Sequence, residues 1–178
     1  GLEVSVRLGV WLGREHYRKG FHVTGTAGTF GAAVACSHLL GLSGKQLRMA
    51  IGIAASRAAG IKVQFGTMVK PLHVGQAAAA GVEAALLASK DFIATNDGLS
   101  GQQGFSEAHH GEEDHSAFLD IGKKYLFENV THKFHACCHG LHPMLEALEE
   151  IKKTRKINVK NVEKLEVTVH PQYLKICN

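Results

Sequence analysis

His73-Val74-Gly75-Gln76-Ala77-Ala78-Ala79-Ala80-Gly81-Val82-Glu83-Ala84-Ala85-Leu86-Leu87-Ala88-Ser89 reads as a helix built from small residues. Alanine is the strongest helix former, and a glycine inside a helix costs about 1 kcal/mol relative to alanine. Gly75 and Gly81 are therefore expected where two helices approach so closely that a larger side chain would not fit. The run from Ala77 to Ala88 contains Glu83 and is too short to span a bilayer.

The same composition recurs upstream. Ser43 and Gln46 have the spacing of a capping box, which predicts a helix through Leu47, Ala50, Ile51 and Ala54 to Ala59, with Gly60 just past its end. A second small-residue helix is expected from about Thr29 to Leu40, stopping near Gly41. Leu2, Val6, Gly9 and Val10 have helical spacing over residues 2–12. Residues 18–25 and 61–72 read as loops. Three helices rich in small residues, packed backbone close to backbone, make the chain mainly α.

Downstream the pattern changes. Gly98, Gly101, Gly104 and Gly111 mix with Asp, Glu and His between Asn96 and His115, which is loop chemistry and a candidate domain boundary. Pro143 to Lys153 reads as a helix. Val162 to Val169 alternates in the manner of a strand.

With 178 residues, 45% of them hydrophobic and 20% charged, the composition is that of a globular chain rather than a disordered or membrane-spanning one. The net charge of +4 suits anionic small molecules as well as nucleic acid, and 12 histidines govern the charge below about pH 6.5. Cys36, Cys137, Cys138 and Cys177 show no disulfide spacing, which points to reduced thiols. No basic segment precedes an apolar run at the start, so no signal peptide is read. Gly1 opens on an amphipathic pattern already under way and no initiator methionine is present, so the chain is expected to be part of something longer.

Three clusters carry candidate chemistry. In Gly20 to Gly31, His22 is followed by glycines and threonines ahead of a helix, which is either an anion site or a tight packing turn. In Gly66 to His73, Lys70 is followed by Pro71; it either binds a carboxylate or is a solvated loop lysine. His132 to His142 holds four histidines and two cysteines without zinc-ligand spacing, which suits a polar active-site lining or a group of half-exposed histidines.

Taken in order, Gly20-Phe21-His22, Gly28-Thr29-Phe30-Gly31-Ala32-Ala33, Leu39-Leu40-Gly41-Leu42 and Gly66-Thr67-Met68-Val69-Lys70-Pro71-Leu72-His73-Val74-Gly75 resemble successive signatures of the MmgE/PrpD family. Gly101 to Phe105 resembles the family's glycine-phenylalanine loop. Lys133 to His142 resembles its segment Lys-x-Tyr-Pro-Cys-Cys-x-x-x-His, with His135-Ala136 in place of Tyr-Pro. The resemblance implies a large helical domain, here residues 1–117 in part, followed over 118–178 by the start of a smaller α+β lid domain.

Members of that family include 2-methylcitrate dehydratase, cis-aconitate decarboxylase and iminodisuccinate epimerase. The resemblance implies a cofactor-independent lyase or isomerase, expected to be a carbon–oxygen lyase of the dehydratase type. Its substrate would be a small di- or tricarboxylic acid. Carried over by position, His22, Lys70, Lys133 and His142 are the expected catalytic residues. Thr24, Thr67 and His73, in the same stretches, are expected to bind substrate. No metal or other cofactor is expected, nor nucleic acid or membrane as a partner. A homodimer is implied, in the cytoplasm or in a mitochondrion. The family's upstream His-x-x-Asp-x-Asp-Asp motif does not occur in these residues. Two other classes compete: a catalytically inactive family member serving as a dimerisation or structural module, and a histidine-rich metal-binding module.

Overall fold

Arg7, Leu8, Trp11, Leu12 and His16 fall on one face of the first helix, α1 (Leu2–Arg18), and all are buried. A computed structural model describes residues 1–174 of the chain; Cys177 lies outside the described residues. Two helices follow, α2 (Val23–Leu39) and α3 (Gly44–Ala55), and then α4 (Val69–Ser89). Short helical pieces complete the order: α5 (Phe105–Ala108), α6 (His142–Thr154) and α7 (Pro171–Leu174), with single 3-10 turns between them. The protein is mainly α. No helix is long and apolar enough to cross a membrane among the described residues.

The packing of α2 on α4 is the most extensive in the molecule, and Gly81 shows why both helices are built from small residues. A Cβ at Gly81 would stand 2.6 Å from the backbone nitrogen of Ala33 and 2.8 Å from the carbonyl of Thr29. The two backbones touch there, as expected for Gly81; the same expectation fails at Gly75, which is exposed and where a Cβ would meet nothing within 4 Å. Around this contact Trp11, Leu12, Ala27, Phe30, Ala33, Ala54, Ala84 and Phe105 form the main core. Full burial of a side chain such as Phe30 contributes about 1.5–3 kcal/mol of transfer free energy.

Ser43 and Gln46 form the expected capping box at the start of α3. Other boundaries differ from expectation. α3 ends at Ala55 rather than Ala59, and the chain turns through Ser56 instead of waiting for Gly60. α2 begins at Val23, not Thr29. One of its threonines is satisfied inside the helix: the Thr29 hydroxyl donates to the Gly25 carbonyl at 2.8 Å. The glycines and threonines after His22 are therefore helix interior, not an open anion-binding loop. α4 likewise starts at Val69, which puts Lys70 and Pro71 in its first turn rather than in a loop. Proline is tolerated there because the first-turn N–H groups have no intrahelical acceptor.

α1 is broken once, at Gly13 (φ 71°, ψ −169°). The carbonyls freed near the break are taken up by a distant loop: Glu112 N donates to Leu12 O and Asp114 N to Trp11 O, each at 3.0 Å. Nearer its start, α1 holds the following segment through two charged side chains. The buried Arg7 guanidinium donates to the carbonyls of Ala117 (2.6 Å), Leu119 (3.0 Å) and Lys124 (2.5 Å). Glu3 accepts from the Leu126 and Phe127 amides at 3.0 and 2.8 Å, and from Arg7 at 2.6 Å.

The chain divides into two compact units, the first from Gly1 to Val130 and the second from Thr131 onward. In the second, α6 forms where the sequence led us to expect it. The strand expected over Val162 to Val169 does not form: the segment is without regular structure, and no partner strand is present among the described residues. An alternating pattern needs a neighbouring strand to take its backbone hydrogen bonds, and alone it is not a strand.

Candidate active site

Phe21 and Ile61 form an isolated antiparallel bridge that brings the start of α2 beside the segment leading to α4. Lys62 N donates to Gly20 O at 2.7 Å, and His22 N donates to Gly60 O at 2.9 Å. Gly60 has φ 139°, a backbone conformation that L side chains rarely adopt. A Cβ on it would also lie 3.4 Å from His22 Cβ and 3.4 Å from the His73 ring. The absence of that side chain leaves two buried histidines free to meet.

They do so ring nitrogen to ring nitrogen. His22 Nδ1 and His73 Nδ1 are 3.0 Å apart, and both side chains are 6% exposed. Phe65 meets the His22 ring edge-on with centroids 4.9 Å apart. The Lys70 ammonium stands 4.5 Å from the centroid of the same phenylalanine ring, a cation–π placement. Burial holds the His22 pKa below the usual histidine value, and the nearby His73 and Lys70 push it the same way. The arrangement thus offers neutral imidazole nitrogens beside a cation, a combination able to move a proton and to hold a carboxylate.

His22, Lys70 and His73 are brought together. The other expected residues stand apart from them or in the second unit. Thr24 is exposed in the first turn of α2 and lines an apolar groove of about 570 Å³ with Val6, Gly9, Val74 and Ala78. Thr67 serves its own turn ahead of α4: its hydroxyl donates to Gln64 O at 2.8 Å and accepts from Val69 N at 3.2 Å. Lys133 is exposed and donates to Cys137 O at 2.9 Å. His142 begins α6 with its ring buried between those of His135 and His139, centroids 5.2 Å away in each case. Its Nε2 is buried without a hydrogen-bond partner among the described residues. Cys36 and Cys137 are free thiols. Among the described residues, no group of three or more His, Cys, Asp or Glu side chains is placed to hold a metal ion.

The sequence reading missed what stands behind Phe21. His16 is fully buried and stacks on the Phe21 ring, centroids 4.7 Å apart and nearly coplanar. Its Nδ1 is 2.7 Å from the His109 carbonyl and must donate; its Nε2 then accepts from the Thr26 hydroxyl at 2.9 Å. His109 stacks in turn on Phe105, centroids 4.0 Å apart. Burial lowers the pKa of both histidines. The signal was there: His16 continues the buried stripe of Leu8, Trp11 and Leu12 at helical spacing, where an apolar side chain is expected.

A family model for the MmgE/PrpD N-terminal domain matches residues 1–117. A cis-aconitate decarboxylase-like protein, oryM, from Aspergillus oryzae is 31% identical over 163 residues, covering 86% of this chain and 34% of that protein. Human cis-aconitate decarboxylase is 41% identical over 107 residues, covering 59% of this chain and 22% of the human protein. The cis-aconitate decarboxylase of Aspergillus terreus is 28% identical over 163 residues, 86% of this chain and 33% of that protein. The chain thus spans between 22% and 34% of the length of these relatives. With the family's N-terminal domain matched over the helices that carry His22, Lys70 and His73, the chain belongs to the MmgE/PrpD family.

Proposed function

We propose that the chain is the part of a cofactor-independent lyase for small tricarboxylic acids that supplies proton transfer and charge stabilisation next to a carboxylate. The observation that supports it best is the buried His22–His73 contact with the Lys70 ammonium close by. In this reading Lys70 and Lys133 neutralise substrate carboxylates, His22 and His142 move protons, and Thr24, Thr67 and His73 bind substrate. Residues 118–178 would begin a lid domain.

The named activities of the relatives favour loss of a carboxylate over loss of water. In such a reaction the bond from carbon to carboxylate breaks and carbon dioxide leaves. The electron pair is held by conjugation with a neighbouring carboxylate, and a histidine delivers a proton to the carbon. A fixed donor or cation facing that developing charge is worth about 3–4 kcal/mol. Dehydration would use the same groups, with a hydroxyl leaving as water.

The test is to supply the full-length protein with cis-aconitate and, separately, with 2-methylcitrate. Carbon dioxide and a product with one carboxylate fewer are expected from the first. Water loss from 2-methylcitrate alone would assign the dehydratase reaction instead. A well-folded protein that turns over neither would favour a non-catalytic module.

A further inference from the structure

We propose that His22 and His73 share one proton between their Nδ1 atoms and act as a single acid–base unit, one ring presenting a bare Nε2 while the other presents an Nε2–H. The proposal rests on the catalytic reading of His22 given above and goes beyond the separate roles assigned there to the two residues.

The geometry leaves little choice. At 3.0 Å the two Nδ1 atoms are at hydrogen-bond distance, and a hydrogen bond needs one N–H and one lone pair. A neutral imidazole has its single hydrogen on one nitrogen or the other. The ring that donates from Nδ1 therefore has a bare Nε2, and the ring that accepts at Nδ1 must have its hydrogen on Nε2. Two neutral rings facing each other in this way are always in opposite tautomers. Neither Nε2 has a hydrogen-bond partner among the described residues, and neither is among the fully buried atoms left without one. Both remain available to a ligand.

The contact also gives a route for charge. When the bare Nε2 takes a proton from a substrate, that ring becomes an imidazolium. Its Nδ1 hydrogen can then move to the bare Nδ1 of the partner. The first ring is left neutral in its other tautomer, and the positive charge is on the second ring, which can release a proton from its own Nε2. No hydrogen is gained or lost by the pair except at the two Nε2 atoms. Gly60, whose φ of 139° favours glycine, carries the His22 backbone hydrogen bond beside the pair, and Phe65 packs edge-on to His22. The charged group facing the pair is Lys70, on the same helix as His73, and it favours the neutral state of His22.

The test is long-range proton–nitrogen NMR on the full-length protein with 15N-labelled histidine, at a pH where His22 is neutral. Opposite tautomers are expected for His22 and His73, and His73→Leu should release His22 to change its tautomer balance. Both rings in the same tautomer, or a His22 signature untouched by His73→Leu, would overturn the proposal. This readout needs no turnover, so it can fail or succeed independently of the assigned reaction. In the kinetic arm, His73→Leu should lower kcat at least about tenfold with KM little changed. His73→Asn, whose amide oxygen can still accept from His22 Nδ1, should recover part of that loss and shift the pH profile. Equal losses in both variants, confined to KM, would make His73 a substrate contact alone and sink the shared-proton unit.

Discussion

The Lys70 ammonium stands 4.5 Å from the centroid of the Phe65 ring, and this contact aims a charge that would otherwise sweep through solvent. Pro71 stiffens the first turn of α4 beside it, and Phe65 meets His22 on its edge. In the full-length protein, Lys70→Ala should lower turnover of a tricarboxylate at least about tenfold, which is about 1.4 kcal/mol of transition-state stabilisation. Lys70→Arg keeps the charge but changes reach and donor geometry, so a substantial loss is expected there too. Near wild-type kcat in both variants, with circular dichroism unchanged, would remove Lys70 from the site.

Acid should weaken the fold through its buried histidines. Burial puts the folded-state pKa of His16, and likewise of His22 and His109, below the unfolded value of about 6.5. The unfolded chain then binds more protons, so stability is full above about pH 6.5 and falls as the pH drops below it. Denaturant midpoints between pH 7.5 and 5 should show the decline. His16→Gln, which cannot titrate, should flatten it, and an identical slope in that variant would contradict the assignment.

Gly81→Val should destabilise by about 1–3 kcal/mol or more, because its Cβ would meet the Ala33 nitrogen and the Thr29 carbonyl with no flexible side chain to move aside. Gly75, where a Cβ meets nothing within 4 Å, is the matched control, and Gly75→Ala should be neutral or slightly stabilising. Thermal melts of the two variants give the comparison, and equal stability would mean that α2 and α4 are not in contact at Gly81.

Arg7→Leu should leave the carbonyls of Ala117, Leu119 and Lys124 without their donor. An unsatisfied buried polar group costs about 1–3 kcal/mol, so the segment from 117 to 127 should loosen before the helices do. Hydrogen exchange should rise there first. Uniform exchange across the unit, or none, would show that Arg7 does not pin this segment.

The helices and the glycine-bearing contact between them were legible because the relevant forces are local or periodic: alanine content, a capping box at Ser43, glycines where two backbones touch. His22 and Lys70 were legible by resemblance, and the structure brings them to one place. Helix boundaries were not, since Thr29 can bond back to its own helix and Pro71 fits a first turn as well as a loop. Nor was the His22–His73 hydrogen bond, which depends on Gly60 and Ile61, far from both in sequence. The strand pattern at Val162 to Val169 was real as a pattern but had no neighbour to pair with among the described residues.

The break at Gly13 makes the first helix a late-maturing element. Leu12 and Trp11 give up their carbonyls to amides at Glu112 and Asp114, and the Glu112 carboxylate reaches the Glu15 amide, a pairing across 97 residues. A ribosome delivers α1 well before its partner loop, so the second half of α1 must wait for the helices between them to emerge. Contacts of such long sequence separation slow folding, because the intervening chain has to be ordered before they can close. This helix therefore depends on residues made long after it, and a nascent chain stalled before Glu112 would leave the Trp11 and Leu12 carbonyls without their partners.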